Sequence, residues 1–148
     1  MITPEELKNL EWGVTESVHD ARPIWYRWRR FDENFRCDVF PVRLNIIWQM
    51  FSATDEGLPT QPEFDRMKVF EDRIVSALEC DCHSILSLVI TTNSKREYVF
   101  HSQDASAVID RLIKMPQEEK RYPLDILQNE DIYWEYDDRV VAQALACC

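Results

Sequence analysis

The chain has 148 residues, about one ordinary domain, with 45% apolar and 30% charged side chains, a balance that excludes a disordered tail and allows one buried core. Its formal charge of −10 opposes phosphate backbones, so direct nucleic-acid binding is not expected and a basic protein surface is favoured as partner. Only two glycines are present, which excludes the glycine-rich phosphate cradles of P-loop and dinucleotide-binding enzymes.

Met1-Ile2-Thr3-Pro4-Glu5-Glu6 lacks the basic flank and apolar core of a secretory leader, and no apolar run approaches the ~20 residues needed to span a bilayer. A cytoplasmic protein without a membrane partner is expected, its five cysteines reduced. Thr3 as cap, Pro4 at the first helical position and two Glu in the first turn predict a short helix over Thr3 to Leu10. Glu11 to Pro23 shows no period and is expected to be a connecting stretch or arm, giving residues 1–23 as helical arm and linker and 24–148 as a single α+β domain. Ile24 to Phe31 alternates as a strand, with Trp25, Arg27, Arg29 and Phe31 on one face; neither face is cleanly apolar, which suits an edge position.

Val42 to Phe51 predicts a longer strand with Val42, Leu44, Ile46, Trp48 and Met50 on one face. After a polar loop, Phe64, Met67, Phe70, Ile74, Val75 and Leu78 recur at helical spacing behind Thr60 and Pro62. Ser84 to Thr92 is apolar on both faces, as a central strand is; Asn93-Ser94-Lys95 turns the chain into a hairpin partner, Arg96 to His101. Asp104 then caps a helix whose stripe is Ala105, Val108, Ile109, Leu112 and Ile113, and Pro123 to Leu127 is the last strand. From Val42 the order is β-α-β-β-α-β, so the expected fold is a ferredoxin-like two-layer α+β sandwich: an antiparallel sheet with an extra N-terminal strand, both helices on one face, and the other face free.

Gly57-Leu58-Pro59, Phe70-Glu71-Asp72, Arg96-Glu97, Phe100, Tyr122-Pro123, and Asp131 with Trp134 and Tyr136 occur in an order that resembles an uncharacterised, mainly bacterial family, domain of unknown function 695, from about Trp25 to Tyr136. Ile132 stands where that family has Pro in an Asp-Pro-x-Trp run. The resemblance implies no reaction. Some members are fused to a domain similar to the protein regulator of ribonuclease E activity, a small acidic α+β protein, which implies a regulator acting by protein contact.

Few residues offer chemistry. Cys80, Cys82 and His83 are soft metal ligands in one run, but a tetrahedral site needs about four, and the competing reading is a helix end with incidental thiols. None of His19, His83 and His101 has a nucleophile-base spacing. Glu71 and Asp72 diverge by about 100° on a helix and cannot share acid/base work; they are expected to form a solvated face, the alternative being a local pair of Glu71 with Lys68 or Arg66. Arg27, Trp28, Arg29 and Arg30 form a basic aromatic patch able to stack bases, or to pair internally with carboxylates. Asp131, Trp134, Glu135, Tyr136, Asp137 and Asp138 combine rings with charge, as interface hot spots do, or Trp134 and Tyr136 clamp the tail onto the sheet or helix layer. The expected function is therefore a small acidic module that binds another protein and regulates it without chemistry or cofactor, with Trp134, Tyr136, Asp131, Arg27 and Arg29 as partner-binding candidates. The alternatives are an enzyme with an unrecognised active site and an RNA-metabolism regulator acting on a ribonuclease.

Overall fold

Thr3 accepts from the backbone N–H of Glu6 and opens helix α1, Pro4–Lys8, as its Thr-Pro-Glu-Glu start predicts. The computed structural model describes residues 2–118 and 120–146. Strands β1 (Trp12–His19), β2 (Arg22–Arg29), β3 (Val42–Gln49), β4 (Ser84–Thr92), β5 (Lys95–Ser102) and β6 (Leu124–Glu130) form one six-stranded sheet in the order β1-β2-β4-β5-β3-β6. Every neighbouring pair is antiparallel. Helices α2 (Gln61–Glu79), α3 (Ala105–Lys114) and α4 (Glu135–Ala146) complete an α+β architecture among the described residues. None of these helices is long and apolar enough to cross a membrane.

One face of the sheet carries the main core. Alternation on β3 and β5 points Leu44, Ile46, Trp48, Tyr98 and Phe100 to this face, where Met67, Phe70, Ile74 and Leu78 of α2 and Val108 and Leu112 of α3 join them in a single cluster. The two predicted stripes thus lie side by side over one layer. The stripe of α3 is narrower than its sequence suggests, because Ile113 is 72% exposed and only Ala105, Val108 and Leu112 are buried. Each fully buried apolar side chain of α2 contributes roughly 1.5–3 kcal/mol through burial.

The opposite face, expected to be free, is covered. Val140 and Ala144 of α4 pack with Tyr26, Leu88 and Val99 from the sheet, and Leu7, Phe40, Cys82, Ile85 and Trp134 form a third cluster. This explains why β4 is apolar on both faces. The helix α4 was not predicted: its buried residues Asp137, Val140 and Ala144 make a stripe too thin to register.

Trp12–His19, expected to be an arm, is instead edge strand β1, and β2, expected at an edge, lies between β1 and β4. Apolar alternation is missing on β1 because Val14, 72% exposed, and Val18 point to the part of the sheet that α2 leaves bare, while Ser17 lies buried on the α4 side. The β1–β2 turn, Asp20-Ala21, has positive φ at both residues without glycine, so its chemistry does not announce a hairpin. Gly13 lies opposite Trp28, whose indole would come within 2.3 Å of an added Cβ, so only glycine admits this ring. Gly57, at φ +84°, holds the loop before α2 against the β4–β5 turn, where Ser94 N–H donates to its carbonyl at 2.9 Å.

Candidate functional site

Two arginines of β2, two residues apart, point to the α2 face. Arg29 Nη1 donates to Glu79 Oε2 at 2.9 Å in a fully buried ion pair, and also to the Leu86 carbonyl; Arg27 pairs with Glu71. Glu71 therefore reaches across to β2 rather than to Lys68 or Arg66, since it lies on the flank of α2 that overhangs β2. The Trp12 ring stacks against both guanidiniums, 4.9 Å from Arg27 and 4.7 Å from Arg29. Arg27 and Arg29 are thus bound to carboxylates of the same molecule, while Arg30 is exposed apart from them.

Beyond this ladder the sheet extends past α2 and leaves a recess of about 560 Å³. A bulge between Leu86 and Leu88 in β4 sets Val89 and Thr91 on the α2 face, beside Arg27 and Trp25 of β2. The register then aligns Glu16, Trp25, Thr91 and Arg96 in one row across four strands. Arg96 forms the inner wall: its Nε donates to Thr91 Oγ1 at 2.9 Å and its guanidinium lies 5.3 Å from the centre of the Phe64 ring. Burial of the neighbouring Tyr98 raises its phenol well above the ordinary value, the Arg96 charge opposing, so this neighbour stays neutral. Among the described residues no carboxylate reaches salt-bridge distance of Arg96.

Asp131, Trp134 and Tyr136 fasten α4 to the sheet. Asp131 accepts from the backbone N–H groups of Glu135 and Tyr136 and from Arg43 Nη1 at 2.7 Å. Burial pushes its carboxyl up, but Arg43 and the two N–H donors outweigh it and hold it below the ordinary value. The Trp134 indole N–H donates to the Phe40 carbonyl at 3.0 Å, and its ring stacks on His101, with centroids 3.9 Å apart. Tyr136 donates to Glu97 under the Arg43 guanidinium, and burial, with that bond and the Glu97 charge, raises its phenol well above the ordinary value. His101 Nε2 meets Asp137 Oδ1 at 2.7 Å; since a carboxylate only accepts, that nitrogen carries the proton. His101 has no exposure and its ring is roofed by Trp134, so the imidazole is closed to solvent.

Cys80, Cys82 and His83 do not converge: Cys80 is exposed, Cys82 is buried with Leu7 and Phe40, and His83 Nδ1 lies 3.2 Å from Ser84 Oγ. Among the described residues no three His, Cys, Asp or Glu side chains gather as a metal site would need. Cys147 and Cys148 lie outside the described residues. At the far edge, β6 pairs among the described residues only with β3, and its Ile126 and Leu127 are 38% and 54% exposed between the exposed carboxylates Asp125 and Glu130.

The residue missed from sequence is Arg96, noted only as part of a family motif; Asp137 lies within the acidic aromatic run but is not marked there as the partner of His101. Neither carries a local signal, because each acquires its role from a strand or helix distant in the chain.

No curated protein and no solved structure matches this chain. The model of a family of unknown function, DUF695, matches residues 11–138 of the 148, and the chain belongs to that family.

Proposed function

We propose that β3, α2, β4, β5, α3 and β6 form a ferredoxin-like split unit, extended by the β1–β2 hairpin and backed by α4. Its support is the adjacency β4-β5-β3-β6, all antiparallel, with both connecting helices on one face. On this scaffold the protein acts as a non-enzymatic regulatory module that takes up a basic, extended segment of another protein along β6. The observation that carries this reading is the β6 edge, which no other strand covers among the described residues.

An unpaired strand edge is a template for a further strand, and natural edges are commonly blunted by Lys. The sequence of β6, Leu-Asp-Ile-Leu-Gln-Asn-Glu, contains no Lys or Arg. Its carboxylates repel a second copy of this acidic chain and attract a basic strand, while Ile126 and Leu127 offer apolar contact on alternate faces. Cys37, Cys80 and Cys82 are free thiols, which suits the reducing cytoplasm expected for this module.

Titration with an extended peptide alternating Lys and Val tests the idea. Affinity should fall between low and physiological salt, and Asp125→Lys together with Leu127→Lys should weaken binding about tenfold. Binding indifferent to salt removes the electrostatic part, and binding unchanged by the double substitution removes the edge.

A further inference from the structure

Arg96 is 7% exposed and, among the described residues, lacks a carboxylate at salt-bridge distance. The other sheet arginine buried to a similar depth, Arg29, has Glu79, and the less buried Arg43 has Asp131. Desolvating a cation is costly unless an anion or a full set of acceptors compensates, and a guanidinium holds five N–H donors in a planar fork that matches a carboxylate. Arg96 Nε donates to a neutral hydroxyl, that of Thr91, and the neutral phenol of Tyr98 also interacts with its guanidinium. Glu71, the α2 carboxylate overhanging this side of the sheet, is taken by Arg27.

The recess beside Arg96 is not a bare cleft. Val89 and Thr91 make its floor, Trp25 and Arg27 its outer flank, and Val14 and Glu16 of β1 its rim. At about 560 Å³ it falls within the range of small-molecule pockets. An indole and an aliphatic floor suit a flat apolar body, and Arg96 with Thr91 suits an oxyanion at its inner end. Arg27 is neutralised by Glu71, which leaves Arg96 as the cation facing a ligand, and Glu16 on the rim disfavours a multiply charged anion such as a polyphosphate.

We propose that this recess binds a compact monoanion, a carboxylate carried on a planar apolar body, with Arg96 as the anchoring cation, Thr91 as a supporting hydroxyl and Trp25 as the stacking surface. The site is independent of the β6 edge, on the opposite side of the sheet order.

The test is nuclear magnetic resonance titration of the whole protein with benzoate and with benzamide, which share a ring but differ in charge. The Arg96 Nε–H and Trp25 indole N–H signals should shift saturably with benzoate, and benzamide should bind about tenfold more weakly or not at all, as loss of a charge-assisted pair requires. Gly-Phe with a free carboxylate, set against Gly-Phe amide, then tells whether a small acid or a chain terminus is the better carrier. Trp25→Ala, at a half-exposed position, should weaken benzoate binding several-fold while the fold is kept, and Arg96→Gln should abolish it. Equal shifts by benzoate and benzamide, or Arg96 and Trp25 signals unmoved by either acid, overturn the proposal. These readouts on the unmodified protein hold even where Arg96→Gln does not fold.

Discussion

Arg29 and Asp131 show how single charges are tolerated inside this molecule. Arg29 and Glu79 are both buried, and Glu79 also accepts from the Leu86 backbone N–H at 2.7 Å, so the carboxylate answers two donors. Glu79→Gln leaves the Arg29 cation buried without a counter-charge and should cost about 3 kcal/mol in urea unfolding. Combining it with Arg29→Met should restore much of that loss, since Gln still accepts from Leu86 and no charge remains to desolvate. Asp131 gives a pH dependence whose sign is fixed by its lowered carboxyl. A carboxylate held below its ordinary value adds stability that is full above that value and is lost as pH falls through the folded one. Asp131→Asn should therefore be less stable than the parent at about pH 7, with the difference narrowing towards about pH 3. A constant difference across that range would show that Asp131 acts through capping alone.

At the scale of elements, the β1–β2 hairpin and α4 depend on each other. The turn residues Asp20 and Ala21 adopt φ of +50° and +63°, a conformation that costs an L-residue about 1 kcal/mol, most clearly for Ala, which has no side-chain bond to offset it. Ala21→Gly should stabilise the protein by about 0.5–1 kcal/mol in thermal unfolding, where a glycine at an ordinary position would destabilise. The equivalent turn of β4–β5, Asn93-Ser94, has the same backbone signs and was legible because Asn favours them. Strand β1 could not be read the same way: one of its faces looks onto open sheet, and the other is capped by a helix more than a hundred residues later in the chain.

For the molecule as a whole, α4 closes the face that a two-layer reading leaves open. Ala144 is fully buried against the cluster of Tyr26, Leu88 and Val99, so Ala144→Glu would force a carboxylate into an apolar contact. The variant should lose about 2–4 kcal/mol and bind a hydrophobic dye that the parent does not, while α2 and α3 keep their packing on the opposite face. Intact stability and no dye binding would mean that α4 sits on the sheet without supporting it.

Strong local periodicity determined β3, β4, β5, α2 and α3 from the sequence alone, because each buries a broad face whose apolar residues repeat at the spacing of its own backbone. The family, too, was legible in scattered short runs such as Gly57-Leu58-Pro59, where φ +84° at Gly57 demands the glycine. Tertiary structure alone decided the rest. The Leu86/Leu88 bulge swings Thr91 to the side of Arg96, strand pairing brings Trp25 beside them, and α4 turns Asp131, Trp134 and Tyr136 inward. Each of these depends on which distant strand or helix lies alongside, and no pattern within a single segment encodes that neighbour.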